Sequence, residues 1–368
     1  MAEIRKLTNS MRSKFNACHR AYKIAYVDLI RPAKASDALS FGTAMHALLE
    51  AYWGGQETMV LTGDDYTDVT LRCLFEGYKA KWEQSDAERY ERVGAEFGFE
   101  APLMNPETGG VSKTWVLAGK IDAIAKDKAT GKHIIVEHKT TSQDIGPGSD
   151  YWKKLPIDGQ VSGYYVGAST LGYEVDVCLY DVIRKPTIKP SSNIPVLDEN
   201  GLKIAVYEAS GERAYNKNGK PRQTASAEDG IVLMVRDEDP HEWEARLMAD
   251  IAERPDYYFQ RVEVVRSESD LSDYLFDMWA VGREIADAER IGRWSRNPNA
   301  CSIYGSCEYF DVCTGCASLD DVTLFRKAET PNEELDSKLD MEKVKEKFDK
   351  KMNEIRDVEF NIVKNLTK

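Results

Sequence analysis

The segment from residue 115 to residue 141 constrains the fold most strongly, because two apolar runs flank a short polar turn. Residues 115–127 (WVLAGKIDAIAKD) and 133–141 (HIIVEHKTT) alternate or run apolar, which is typical of β-strands. Residues 128–132 (KATGK) have the composition of a turn. The segment therefore predicts a β-hairpin within the fold.

Three charged side chains fall at one end of this hairpin. Asp122 lies on the first strand, and Glu137 and Lys139 lie on the second, one residue apart. Because side chains alternate between strand faces, Glu137 and Lys139 share a face, and closure of the hairpin brings Asp122 close to Glu137. Two converging carboxylates form a hard-oxygen site suited to Mg²⁺ or Mn²⁺. A neighbouring lysine can orient water or neutralise charge on a phosphate.

An ordinary ion pair on a solvated hairpin is the alternative interpretation, since this spacing of acidic and basic residues is short and degenerate. The run at residues 134–136 (IIV) favours the metal site, because it predicts that Glu137 follows a buried strand. A carboxylate in such a position is unfavourable unless it has a partner.

Apolar periodicity predicts the remaining elements. Helices are expected at 10–30, 36–53, 65–92, 155–171, 239–253 and 268–292, and strands at 175–185 and 258–265. Residues 94–110 are expected to be irregular, because Gly and Pro interrupt them. The order strand, strand, helix, strand indicates an α/β or α+β fold.

Changes in composition divide the chain into six parts. These are an N-terminal helical region (1–100), a core with the hairpin (101–186), a polar insertion (187–230), a further core strand with helices (231–295), a cysteine segment (296–330) and a charged helical tail (331–368). No run approaches the roughly 18 apolar residues of a membrane span. The N-terminus also lacks the apolar region of a secretory signal, so we expect a cytoplasmic protein without a membrane partner.

The net charge of −13 argues against a nucleic-acid partner, because phosphate binding favours a basic face. Carboxylates that hold cations would explain part of this charge, and a local groove can be positive on an acidic protein. Basic residues do cluster locally, at Lys153 with Lys154, at Arg184 with Lys185, and at Arg261 with Arg266. The first two clusters are candidates for DNA binding.

Seven cysteines are present, and four of them lie close together as Cys301-x5-Cys307-x5-Cys313-x2-Cys316. The odd number and the missing export signal make a disulfide framework improbable, whereas clustered cysteines suggest a metal. Cys73 and Cys178 have apolar neighbours in sequence and are expected in the core. Cys18 stands alone near the N-terminus.

The run at residues 119–141 resembles the catalytic hairpin of the PD-(D/E)XK nuclease superfamily, in its RecB-like branch. The branch pattern G-x-(I/V)-D followed by (D/E)-x-K-T is met by the following residues: Gly119, Asp122, Glu137, Lys139 and Thr140. Two further motifs appear in order, G-x-x-x-H at Gly42 to His46 and Q-x-x-x-Y at Gln160 to Tyr164. Taken alone, the histidine would more often be an ordinary helical residue, and the second motif a chance match.

This resemblance implies roles for each matched residue. His46, Asp122, Glu137 and the backbone carbonyl of His138 would bind Mg²⁺ or Mn²⁺. Lys139 would orient the attacking water or stabilise developing charge. Gln160 and Tyr164 would line the site and position the DNA strand or the lysine. The implied fold is a restriction-endonuclease-like α/β core, with a mixed central sheet flanked by helices.

The cysteines resemble those of the branch members that carry a 4Fe–4S cluster, which use one N-terminal and three C-terminal cysteines. Cys18 lies in C-H-R-A-Y, similar to the branch's C-x-R-x-Y. The resemblance implies Cys18, Cys301, Cys307 and Cys313 as ligands, with Cys316 as a substitute for Cys313. A Zn²⁺ site made from the four C-terminal cysteines is the alternative, and a third is that no metal binds.

Members with both helical motifs are usually exonucleases that act on DNA ends or single strands. The resemblance thus implies a phage-type exonuclease of recombination, repair or replication, located in the host cytoplasm. Two alternatives stay open, a catalytically silent DNA-binding scaffold and a nuclease subunit that needs a partner. A helicase, recombinase or single-strand-binding protein would then dock on the tail at 331–368.

Overall fold

Twelve strands and ten α-helices are present in the computed structural model, which describes residues 4–34, 37–56, 58, 60, 62–302 and 305–336. The strands are β1 (Arg5–Leu7), β2 (Ile30–Pro32), β3 (Tyr90–Met104), β4 (Val111–Asp127), β5 (His133–Thr141), β6 (Val175–Arg184), β7 (Ile194–Pro195), β8 (Ala205–Tyr207), β9 (Ile231–Leu233), β10 (Val235–Arg236), β11 (Phe259–Val264) and β12 (Phe325–Lys327). The α-helices are α1 (Asn9–Ala17), α2 (His19–Tyr22), α3 (Asp37–Gly54), α4 (Asp65–Arg89), α5 (Gly159–Thr170), α6 (Pro240–Glu253), α7 (Pro255–Tyr258), α8 (Glu268–Ile291), α9 (Phe310–Thr314) and α10 (Glu333–Asp336).

A six-stranded mixed sheet forms the centre of the fold. Its order is β1-β4-β5-β6-β11, with β3 paired to β4 along the other edge of that strand. The β1–β4 and β5–β6 pairs are parallel, and the β3–β4, β4–β5 and β6–β11 pairs are antiparallel. The predicted mixed sheet flanked by helices is confirmed.

The sheet is buried on both faces. On the first face, Ile124 and Ile135 pack in a core with α1, α5 and α8. On the second face, Ala125 and Val136 pack in a core with α3, α4 and α6. Apolar side chains on both faces explain why the central strands read as continuous apolar runs in the sequence.

Two predictions about elements were wrong. Residues 94–110 contain most of strand β3, which tolerates Gly94 and Pro102 because it lies at an edge and is irregular near both residues. The single helix predicted at 10–30 is broken at Cys18, whose backbone is extended. A π-helix (Lys23–Val27) follows α2.

The polar insertion contains two small sheets, β7 with β10 and β8 with β9, so it extends to Arg236. Ala205, Ala214 and Ile231 form its own small core. The tail predicted at 331–368 lies outside the described residues apart from 331–336. No helix in the described ranges is long and apolar enough to cross a membrane.

Candidate active site

The sheet opens at the position of the predicted site. Pairing of β4 with β5 ends at Ala123 opposite Val136. Immediately beyond this pair, the backbone N–H of His138 donates to Oδ2 of Asp122 at 2.9 Å. The Asp122 carboxylate thus accepts a hydrogen bond from a backbone N–H that lies beyond the last β4–β5 pair. It lies beside β5, the strand that carries Glu137.

A chain of hydrogen bonds connects the second strand with helix α5. Glu137 and Lys139 face the first core, and the Lys139 ammonium donates both to Glu137 Oε1 and to Gln160 Oε1, the latter at 2.9 Å. Gln160 Nε2 donates to the Tyr164 hydroxyl at 2.6 Å. Asp158 caps the helix by accepting from the backbone N–H of Gln160. The i, i+4 spacing places Gln160 and Tyr164 on one helix face.

Burial changes the protonation of this group. The pKa of Glu137 is raised to about 7, because burial and the nearby Asp122 carboxylate both disfavour its negative charge. Burial lowers the pKa of Lys139, but the carboxylates of Glu137 and Asp122 outweigh it, and the net shift is upward. The lysine therefore stays charged at neutral pH, while Glu137 exchanges its proton near pH 7.

Helix α3 brings His46 to the other side of the opening. Its Nδ1 lies 3.6 Å from Asp122 Oδ2. Burial and the neighbouring His138 lower its pKa to about 4, so the ring is neutral at pH 7 and keeps a lone pair for a cation. A Cβ atom at Gly42 would lie 3.4 Å from Thr140 Oγ1, which shows how closely the helix approaches β5.

The types of side chain at the opening are suited to a divalent cation. Glu137 is only 1% exposed, and its Oε2 has no hydrogen-bond partner among the described residues. An unsatisfied buried carboxylate oxygen beside Asp122 and a neutral histidine suits a cation. Within the described ranges, however, no three or more His, Cys, Asp or Glu side chains are placed so that they could hold a metal ion, here or among the cysteines. The candidate ligands therefore do not form a preformed metal site.

Four cysteines line a separate cavity of about 870 Å³. They are Cys18, Cys301, Cys307 and Cys313. The cavity lies between the N-terminal helices and the segment at 296–314, and Cys316 does not line it. Cys73 and Cys178 are buried in the cores, as predicted.

The first pair of basic candidates is on the surface. Lys153 is exposed and forms an ion pair with Asp150, and Lys154 is exposed. Both belong to a 3₁₀-helix (Asp150–Ile157) that leads directly into α5.

The second pair is held by neighbouring side chains. Arg184 pairs with Asp144 at 2.9 Å and lies over the Tyr257 ring. The Lys185 ammonium lies 4.5 Å from the centre of the Phe41 ring, and burial lowers its pKa. These contacts limit the charge that Arg184 and Lys185 present to solvent.

Sequence reasoning missed a row of buried polar residues behind β5. Asp181 is fully buried and faces His138 and Arg261 across the sheet. Arg266 is buried and the Arg261 side chain is only 8% exposed, so these two clustered basic residues do not form an exposed basic patch. The signal was available, since an aspartate inside the apolar strand at 175–184 requires a partner.

Comparison with known proteins identifies the family of the chain. The sequence pattern of the PD-(D/E)XK nuclease superfamily matches residues 6–314. The chain belongs to the PD-(D/E)XK nuclease superfamily, which makes it a nuclease. None of the curated proteins compared with the chain matches it.

Two solved structures show only distant similarity. The protein SSO0001 is 14% identical over 69% of this chain and 78% of its own, with a TM-score of 0.27. A phage-related exonuclease from Haemophilus somnus 129PT is 15% identical over 79% of this chain and 97% of its own, with a TM-score of 0.28. Both TM-scores are too low to define a shared fold, so membership rests on the sequence match.

Proposed function

We propose that the chain is a Mg²⁺- or Mn²⁺-dependent deoxyribonuclease that acts as an exonuclease on DNA ends or single strands. The observation that carries the proposal is the buried Glu137 carboxylate with one unpaired oxygen, set between Asp122 and the Lys139 ammonium. This arrangement has a cation ligand and a cationic side chain on one strand. It suits hydrolysis of a phosphodiester bond.

Each side chain has a separate task in this mechanism. His46, Asp122, Glu137 and the His138 carbonyl would hold the cation, which when bound polarises the phosphate and lowers the pKa of a water. Glu137 gives up its proton for this purpose, since its pKa is about 7 before a cation binds. His46 is already neutral.

The hydrogen bonds around the lysine define the second half of the mechanism. Gln160 holds Lys139 through its carbonyl oxygen, and Tyr164 hydrogen-bonds the Gln160 amide. Lys139 would then orient the attacking water or stabilise the charge that develops on the phosphate. Gln160 and Tyr164 would position the strand beside it.

The DNA strand would reach the site past the exposed Lys153 and Lys154. These lysines lie on the segment that leads into α5, which carries Gln160. Arg184, which pairs with Asp144, and Lys185, beside the Phe41 ring, remain candidates for DNA contacts. A local basic edge would offset the overall charge of −13.

We also propose a 4Fe–4S cluster bound by Cys18, Cys301, Cys307 and Cys313. All four cysteines are among the residues that line one cavity, which supports a ligand set drawn from both ends of the chain. The Zn²⁺ alternative needs Cys316, which lies outside the cavity lining. The cluster would hold the N-terminal helices against the C-terminal segment and would have no redox step in catalysis.

The test is cleavage of end-labelled linear and covalently closed circular single-stranded DNA, with Mg²⁺, Mn²⁺ or EDTA. The wild type is compared with Glu137→Ala and with Glu253→Ala, a matched loss of an exposed glutamate. We expect degradation of linear DNA only, dependent on metal, absent in Glu137→Ala and retained in Glu253→Ala.

Other outcomes assign the chain differently. Cleavage of the circles would make it an endonuclease. No cleavage with either metal would contradict a stand-alone enzyme and support a partner-dependent subunit or a silent DNA-binding scaffold.

A further inference from the structure

A row of buried polar residues crosses three neighbouring strands beneath the active-site strand. In the parallel β5–β6 pair, His138 is opposite Asp181, and in the antiparallel β6–β11 pair, Asp181 is opposite Arg261. His138 Nδ1 lies 3.4 Å from Asp181 Oδ2, and Arg261 Nη2 lies 3.1 Å from the same oxygen. The row lies on the second face of the sheet, opposite to the face of Glu137 and Lys139.

Helix α4 covers the row with two further polar side chains. The Tyr78 hydroxyl donates to Asp181 Oδ2 at 2.6 Å. Both terminal nitrogens of Arg261 bind Asp86, Nη1 to Oδ1 at 2.5 Å and Nη2 to Oδ2 at 3.0 Å. The Arg261 guanidinium also lies over the Trp82 ring, 4.3 Å from its centre. Such a two-pronged arginine contact fixes direction as well as charge.

The row is desolvated along its whole length. His138 is 2% exposed, Asp181 0% and Asp86 3%, and only 8% of the Arg261 side chain is exposed. Burial alone would raise the pKa of Asp181, but Arg261 and His138 outweigh it and lower that pKa to about 2. The aspartate is therefore ionised at any pH at which the enzyme would work.

Stability alone is a weak reason for such a row. Buried ion pairs can often be replaced by packed apolar residues without loss, because the desolvation of both charges offsets their attraction. This row is unusual because one of its ends is His138, a residue of the active-site strand. His138 lies between Glu137 and Lys139 on β5, and its backbone N–H holds the Asp122 carboxylate.

His138 therefore lies next to a carboxylate on each of two sides. Its side chain faces Asp181 in the second core, and its backbone contacts Asp122 at the opening of the sheet. A shift of the His138 ring would rotate the strand about its axis, and this rotation would displace the carboxylate and the ammonium on either side. Small displacements at such a site strongly reduce the reaction rate.

We propose that Asp181 and Arg261 are positioning residues of the active site, which hold His138 and thereby fix Glu137, the His138 carbonyl and Lys139 in register with Asp122. The role rests on the proposed nuclease function. It differs from that function because neither residue would touch the cation or the DNA. The row acts through the strand, in the way that outer ligands orient the residues that bind a metal.

The test compares Asp181→Asn with Glu238→Gln in the whole 368-residue chain. Glu238 is a matched control, since it is 3% exposed and pairs with Arg246 at the base of the insertion. Three quantities are measured for each protein, namely the thermal midpoint without metal, Mn²⁺ affinity by calorimetry without DNA, and kcat and KM on linear single-stranded DNA.

We expect Asp181→Asn to lose about 10–100-fold in Mn²⁺ affinity or in kcat, with a smaller change in KM. Glu238→Gln should lose thermal stability without a change in either quantity beyond about twofold. Arg261→Lys, which keeps the charge but loses the two-pronged contact with Asp86, should show a partial loss of the same kind.

The outcomes separate this proposal from the proposed function. A wild type that binds Mn²⁺ but cleaves no DNA would contradict the nuclease mechanism. The Mn²⁺ affinities of the wild type and Asp181→Asn would still test the positioning role. Wild-type affinity and kcat in Asp181→Asn would overturn the positioning role. If Asp181→Asn and Arg261→Lys both failed to fold, or lost no more activity than Glu238→Gln, the row would be purely structural and the proposal would be wrong.

Discussion

Glu137 shows how the environment of a residue prepares a site before any cation is present. The sequence places it after a buried strand and one residue away from Lys139. In the fold it is 1% exposed, next to Asp122, so its carboxylate holds a proton up to about pH 7. A cation that binds there must displace this proton.

This competition predicts a pH-dependent metal affinity. The proton competes below the pKa of about 7 and is absent above it, so Mn²⁺ affinity should rise with pH and level off near pH 7 to 8. For one displaced proton, the slope is about tenfold per pH unit below the pKa. Calorimetry between pH 5.5 and 8.5 measures the Mn²⁺ affinity at each pH. Glu137→Gln is the comparison variant, because its side chain has no carboxyl group to ionise.

His46 does not contribute to this slope, because its pKa of about 4 leaves it neutral throughout that range. A flat wild-type affinity across the range would contradict the protonation of Glu137. An equal slope in Glu137→Gln would assign the proton to another group.

Two contacts among the candidate site residues could be predicted from local sequence patterns. Strand alternation was enough to pair Glu137 with Lys139, and helical spacing was enough to pair Gln160 with Tyr164. The hydrogen bond between Lys139 and Gln160 depends on how α5 packs on the sheet, which no local pattern encodes. The role of Asp181 was missed because its partners are distant in sequence.

At the scale of elements, the packing of α5 on the sheet sets the distance between Gln160 and Lys139. Gly167 faces the Phe99 ring of β3, and a Cβ atom there would overlap several ring carbons. The helix can approach β3 this closely only because residue 167 lacks a side chain. The same contact explains why a glycine stands within a helix, where it is otherwise unfavourable.

Gly167→Ala should therefore destabilise the fold by about 1–3 kcal/mol, because the added methyl group overpacks the core. Helix propensity alone predicts the opposite sign, a gain of up to about 1 kcal/mol. Urea unfolding measures the change, with Ser169→Ala on the exposed face of α5 as the control. A Gly167→Ala protein as stable as the wild type would mean that α5 does not pack as described.

Helices and strands with a regular apolar pattern could be predicted from the sequence, whereas elements without such a pattern were missed. Helices α3, α4, α6 and α8 and the hairpin of β4 and β5 match the predicted ranges, because each has a regular apolar face. Strand β3 was missed since Gly and Pro interrupt an edge strand without ending it. The break at Cys18 was missed because nothing in the local pattern marks it.

At the scale of the whole molecule, two links connect the ends of the described chain. Strand β2 pairs with β12, and Cys18 lines the same cavity as Cys301, Cys307 and Cys313. Most of the sequence lies between the two sides of each link. A cluster across this cavity would close a long loop, which stabilises a fold mainly by restricting the unfolded chain.

This account predicts different results for cysteines inside and outside the cavity. Cys18→Ser should lose the iron and sulfide content and the visible absorbance of the purified protein, and its thermal midpoint should fall by several degrees. Cys316→Ser should retain all of them, because Cys316 does not line the cavity. The reverse pattern, with zinc in place of iron, would support the alternative site made from the four C-terminal cysteines.

The central claim is that Asp122, Glu137 and His46 form a cation site at the opening of the sheet. Anomalous X-ray diffraction from crystals grown with Mn²⁺ tests it most directly. We expect an anomalous peak in contact with the Glu137 and Asp122 carboxylates, the His46 ring and the His138 carbonyl, at oxygen distances of about 2.0–2.2 Å. A peak at another site, or none at this opening with Mn²⁺ at saturating concentration, would contradict the account.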